Sequence, residues 1–140
     1  MVYELQKYGI NVSKPFSDNS PYDLVIDVNK KLYRVQIKSS AYHQNGAVVF
    51  RLAKTRYNRT SARLAKYSKE EVDYYALYSI LRDKIYILPF EDAPKSEVKI
   101  RYEPCMQNAP TIRYEDDYTI EKIFGIKQLP INFQKNKRLH

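Results

Sequence analysis

The sequence predicts an α/β fold with a mixed central β-sheet flanked by helices. Three observations carry this. Apolar residues fall at helical spacing at the two ends of the chain, Val2, Leu5 and Tyr8 at one and Tyr118, Ile120, Ile123 and Phe124 at the other. Between them lie five or six short runs rich in Val, Ile and Tyr with alternating character. Polar turn clusters separate the runs, so strands are bracketed by helices, the pattern of a sheet with helical cover.

In order, "VYELQKYGINV" reads as the last turns of a helix, with Gly9 suited to the C-cap. "SKPFSDNSPYD" is a loop, dense in Ser, Pro, Asn and Asp. "DLVID", the turn "VNKK" and "LYRVQIKSS" form a β-hairpin. "HQNG" is a turn and "AVVFRLA" a third strand. Positions 51 to 69 hold seven cations and no acid, and read as loop with a short helix near "SARLAKY". "VDYYALYSI", "KIYILPF" and "SEVKIRY" are further strands, and "EDDYTIEKIF" is a closing helix with acids in its first turn. Residues 103 to 114 read as irregular, and the tail from about 134 to 140 as frayed.

A length of 140 residues corresponds to one domain, 1–140. An apolar content of 44% supplies a packed core and argues against disorder. The net charge of +8 points to polyanionic partners, nucleic acid or an anionic membrane surface. No run approaches the roughly 18 apolar residues that a membrane span needs, and "MVYELQKYG" lacks the apolar region of a signal peptide. Cys105 is the one cysteine, which excludes an internal disulfide and a cysteine metal cluster and fits the cytoplasm. Fourteen tyrosines and no tryptophan suit half-buried sheet faces and interfaces.

Strand alternation puts Arg34, Gln36 and Lys38 on one face of "LYRVQIKSS", and Tyr33, Val35, Ile37 and Ser39 on the other. Gln36 and Lys38 are then about 7 Å apart along the strand. In a hairpin turning at Val28–Lys31, the start of the first strand meets the end of the second, so Asp23 lands near both. A carboxylate with amide and carbonyl oxygens (Asp23, Gln36 and the backbone carbonyl of Ile37) is a donor set for a hard cation such as Mg2+. Such a cation polarises a phosphate and activates a water, while a lysine neutralises charge that builds in phosphodiester cleavage. The same alternation also fits the exposed half of an amphipathic strand, with Asp23 a turn residue beside Pro21.

The acid-free segment offers DNA contacts through Arg51, Lys54, Arg56, Tyr57, Arg59, Arg63 and Lys66, since Arg and Lys neutralise phosphates. Ser39 and Ser40 follow Lys38, where a scissile phosphate would lie, and Lys14 and Lys30 are further candidates. No RNP-type motif supports an RNA-binding module.

"PYD", twelve residues, then "QIK" resembles the motif of the PD-(D/E)XK nuclease superfamily, with Tyr22 between Pro21 and Asp23 and Gln36 in place of the usual acid. The longer string from "YGINVSKPF" through "AVVFRL", with "YSKEEVDYYALYS" and "DKIYILPF" behind it, is similar to the homing endonucleases of bacterial group I introns. The resemblance covers roughly residues 5 to 90 and implies a restriction-endonuclease-like core. It implies a site-specific endonuclease that hydrolyses double-stranded DNA with metal-activated water, using Mg2+ or Mn2+. Asp23, Gln36 and the Ile37 carbonyl would bind metal, and Lys38 would be the catalytic lysine. It further implies a homo-oligomer, dimer or tetramer, of prokaryotic or phage origin. A structure-specific nuclease like the Holliday-junction resolvases, or a catalytically silent DNA-binding module, are the alternatives. The superfamily usually carries a glutamate on its first helix. Counted back from Gly9 that residue would fall before Met1, and Glu4, one or two turns later, is a poor match.

Overall fold

A computed structural model of the chain describes residues 1–57, 62–65, 67–107 and 109–131, with 54–57 and 62–65 described by their backbone. In chain order the elements are α1 (Val2–Gln6), β1 (Asn11–Ser13), β2 (Leu24–Val28), β3 (Lys31–Ser40), β4 (His43–Gln44), β5 (Ala47–Arg51), β6 (Lys54–Tyr57), β7 (Ala62–Ala65), β8 (Tyr74–Ser79), β9 (Lys84–Pro89), β10 (Glu97–Arg101) and α2 (Ile120–Phe124). Five strands form a mixed sheet in the order β1-β2-β3-β8-β9. Within it β3 and β8 run parallel and the other neighbours antiparallel. A second sheet has the order β10-β5-β4, and β6 pairs with β7 alone.

The predicted hairpin is present, turning on Asn29 and Lys30, which both have positive φ (52° and 67°). Positive φ at both central residues is the signature of the tight turn whose twist matches that of paired strands. The register Leu24–Val35 through Val28–Lys31 sends Leu24, Ile26, Val28 and Val35 into one core.

The five-stranded sheet is covered on both faces, so its inner strands read as near-continuous apolar runs. On one face Tyr75 and Leu77 of β8 and Tyr86 and Leu88 of β9 pack against Val48 and Phe50 of β5 and Val98 and Ile100 of β10. On the other face Ala76, Ile87 and the apolar residues of β2 pack against Leu5 of α1, Ile10 and Ile120 of α2. Full burial of a side chain of this kind contributes about 1.5–3 kcal/mol relative to exposure.

The parallel partner β8 is clamped to β3 at its start. The Arg34 backbone N–H donates to Asp73 Oδ2 (2.8 Å), its Nε to the same oxygen (3.3 Å), and a terminal nitrogen to the Glu70 carbonyl. The Asp73 N–H donates in return to the Arg34 carbonyl (2.9 Å).

Four expectations need correction. His43–Gln44, in the expected turn "HQNG", is strand β4, paired with Val48 and Ala47 of β5. The described part of the basic segment forms two antiparallel strands rather than loop and helix: Ala62–Ala65, inside the expected helix "SARLAKY", is strand β7, held in register with Lys54–Tyr57. Residues 11–13 join the sheet edge as β1, because Asn11–Ser13 finds a partner in Val25–Asp27 that no local pattern announces. The closing helix is split into a 3₁₀ turn (Glu115–Asp117) and α2. The Tyr118 carbonyl accepts from the Ile87 N–H of the edge strand β9 (2.8 Å), and Thr119 then caps α2 by accepting from the Lys122 N–H (3.1 Å). A carbonyl spent on a sheet edge is lost to a continuous helix.

Candidate active site

β2 starts at Leu24, opposite Val35, so the second half of β3 runs on past the end of its hairpin partner. Residues 14–23, between β1 and β2, belong to no strand. Asp23 is the last of them. Its backbone N–H donates to the Val35 carbonyl (2.9 Å), and its carboxylate Oδ2 accepts from the Ile37 N–H (2.8 Å). A side-chain oxygen thus serves the first amide of β3 that β2 no longer reaches. The carboxylate is fixed beside the residue that separates Gln36 from Lys38.

The split between the loop and β3 opens a cleft of about 500 Å³, lined by Lys14, Pro15, Asp18, Tyr22, Asp23 and Ile37 among others. Gln36 and Lys38 are in register with Tyr75 and Leu77 of β8, on the sheet face that the second sheet covers, and both are half-buried. The Lys38 ammonium lies 4.9 Å from the centroid of the Tyr67 ring and 3.5 Å from its hydroxyl. Burial pulls the Lys38 ammonium below the ordinary lysine range, and the negative charge of Asp23 works in the opposite direction. Burial, then Asp23 and Glu71, push the Tyr67 hydroxyl up. Asp23, Lys38 and Tyr67 therefore share one local field at one end of the sheet.

The other sequence candidates scatter. Glu4 pairs with Lys7 (3.0 Å) and lines a separate cleft of about 330 Å³ with Tyr8, Tyr86, Glu115 and Glu121. Its helix packs through Leu5 on the sheet face opposite Lys38, so Glu4 is not brought to Asp23. Lys14 lines the Asp23 cleft and is exposed. Ser39 is exposed and, by alternation, turned away from Lys38. The Ser40 hydroxyl donates to the Val49 carbonyl (2.5 Å) and accepts from the Tyr42 N–H (3.0 Å), which ties β3 to β5. Lys30 occupies the hairpin turn, at the end of β2 away from Asp23. Arg51 ends β5 opposite Glu97. Lys54, Arg56 and Tyr57 are on β6 and Arg63 on β7, with Arg56 in register with Arg63. Arg59 and Lys66 lie outside the described residues. Tyr67 escaped the sequence reading: its approach to Lys38 depends on the crossover from β5 to β8, which leaves no local signal.

The donor set expected from the sequence, the Asp23 carboxylate, the Gln36 amide oxygen and the Ile37 carbonyl, is all oxygen. That chemistry fits a hard divalent ion. Among the described residues no group of three or more His, Cys, Asp or Glu side chains is arranged to hold a metal ion, so this set brings a single formal charge.

Asp23, held at a strand end, faces a neighbouring strand that carries Gln36 and the half-buried Lys38 two positions apart. The chain belongs to the PD-(D/E)XK endonuclease family, whose model it matches over residues 1–121. Among solved structures it is similar to that of a bacterial homing endonuclease, I-Ssp6803I, with a TM-score of 0.72 and 26% sequence identity, over 98% of this chain and 88% of that one. No curated protein sequence matches the chain. PD-(D/E)XK nucleases generally use divalent metal ions. Among the described residues no helix is long and apolar enough to cross a membrane.

Proposed function

We propose that this endonuclease cuts double-stranded DNA at a specific site, with a divalent ion, Mg2+ by preference and Mn2+ in its place, in the manner of an intron-homing enzyme. The observation that carries the reading is the Asp23 carboxylate docked on the Ile37 amide beside Gln36, with the Lys38 ammonium within its field. The similar homing endonuclease structure favours this over other nuclease roles.

Asp23, Gln36 and the Ile37 carbonyl would hold the ion. When bound, it supplies polarisation of the scissile phosphate and acidification of the attacking water. One formal charge is little for a divalent cation, so phosphate oxygens of the DNA complete the set and metal affinity rises with substrate. Lys38 stabilises the negative charge that accumulates on the phosphate oxygens. Its half-burial strengthens that interaction relative to water. The cations of β6 and β7, together with Lys14 beside the cleft, neutralise phosphates of the duplex. Each chain carries one such site and a duplex has two strands, so the working form is a homo-oligomer, a dimer or tetramer. Its place of action is the cytoplasm.

The test is incubation of supercoiled plasmid carrying a candidate insertion site with Mg2+, with and without EDTA, beside Lys38→Ala. Linear product that needs both the metal and Lys38 supports the reading. DNA binding with no cleavage under any metal leaves a silent binding module, and preference for four-way junctions over linear duplex leaves a resolvase.

A further inference from the structure

We propose that Tyr67 is a positioning residue for Lys38: its hydroxyl and ring together hold the ammonium at the cleavage site. This rests on the nuclease reading and adds a residue to it. The ammonium donates to the Tyr67 hydroxyl oxygen (3.5 Å) and lies 4.9 Å from the ring centroid, so it sits at the hydroxyl end of the ring, still inside the roughly 6 Å range over which an aromatic ring attracts a cation. The ring also accounts for part of the burial of Lys38, which strengthens its pull on nearby anionic oxygen.

Tyr67 can do this because it is itself immobilised. It is only 9% exposed and belongs to the core between the two sheets. Its ring stands edge-on to Tyr75 (centroids 6.1 Å apart, planes at 74°), and Tyr75 in turn stacks on Phe90 (6.1 Å, 28°). Tyr75 is the β8 neighbour of Gln36, so the aromatic row runs beside the strand that bears the site. The turn after Tyr67 is tied down by the Ser68 hydroxyl donating to Glu71 (3.1 Å) and by Arg34 gripping Asp73 and the Glu70 carbonyl. Arg34, Gln36 and Lys38 alternate onto one face of β3. The first holds the turn; the last receives the ring that the turn presents. A lysine with four rotatable methylenes otherwise loses considerable side-chain entropy when it is held in one place.

The experiment compares wild type, Tyr67→Phe and Tyr67→Leu in single-turnover cleavage at saturating DNA and Mg2+, with DNA affinity measured in parallel. Tyr67→Phe, which keeps the ring and the packing but loses the hydroxyl acceptor, should slow cleavage about threefold. Tyr67→Leu should slow the chemical step about tenfold with DNA affinity unchanged, and adding Lys38→Ala should cost it far less than the same change costs wild type. The Lys38 ε-methylene protons, close to an aromatic ring, should keep nearly their wild-type chemical shift in Tyr67→Phe and move in Tyr67→Leu. Cleavage by Tyr67→Leu at the wild-type rate, or a Lys38 signal that does not move, overturns the role of Tyr67 alone. A wild-type chain that never cleaves overturns the nuclease reading and the role of Tyr67 with it.

Discussion

Replacing Asp23 with asparagine separates the charge of this residue from its shape. The side chain keeps an oxygen that can accept from the Ile37 N–H, now 2.8 Å from Oδ2. A hydrogen bond to a charged group contributes about 1.5–3 kcal/mol and a neutral one about 0.5–1.5 kcal/mol. Asp23 is exposed, so water competes for the site and the difference shrinks. Asp23→Asn should therefore lose less than about 1 kcal/mol of stability, read from the urea midpoint. Cleavage should behave otherwise. The variant removes the one carboxylate of the donor set and the one neighbour that favours the charged form of Lys38. Even outer partners of metal ligands are worth about 10–100-fold, so the loss should be at least about a hundredfold in single-turnover rate. Cleavage by Asp23→Asn within threefold of wild type, in a protein that melts like wild type, would refute the site as drawn.

Glu115 accepts from Tyr86 (2.8 Å) and Arg82 (3.0 Å), with Lys84 nearby (3.6 Å). Burial pushes its carboxyl up, but Tyr86, Lys84 and Arg82 together outweigh this and hold it below the ordinary range. A depressed carboxyl stabilises the fold above its unfolded pKa, about 4.3, and the contribution is lost as pH falls through the folded value. Glu115→Gln should thus cost about 1–2 kcal/mol at pH 7 and progressively less below about pH 4, and urea melts showing an equal deficit at both pH values would contradict the assignment. Lys30 has φ of 67°, which glycine adopts without strain, so Lys30→Gly should raise stability by about 0.5–1 kcal/mol. Measured against salt, DNA binding by this variant reports whether the duplex reaches the hairpin turn: a slope smaller by about one marks a phosphate there.

Much of the site was legible because its geometry is local. Period-two alternation sets Gln36 and Lys38 on one face, and a short turn brings Asp23 back beside them, so a stretch of sixteen residues encodes the arrangement. The position of Glu4 was not legible: helical spacing names the buried residue of α1, Leu5, but not which sheet face α1 will cover. The basic segment was misread for a related reason. Its alternating cations and small residues satisfy helix and strand patterns alike, and only cross-strand pairing, Lys54 with Ala65 through Tyr57 with Ala62, decides between them.

By itself the sequence determined the strands β2, β3, β5, β8, β9 and β10, the hairpin turn and the spacing of Asp23, Gln36 and Lys38, since each follows from backbone periodicity over a few residues. Only the tertiary structure decided which surfaces meet: β8 lying parallel to β3, α1 falling on the face away from Lys38, and Tyr67 arriving beside its ammonium. Those outcomes depend on contacts between segments tens of residues apart, where burial of two apolar faces at once selects the arrangement and no local pattern records it.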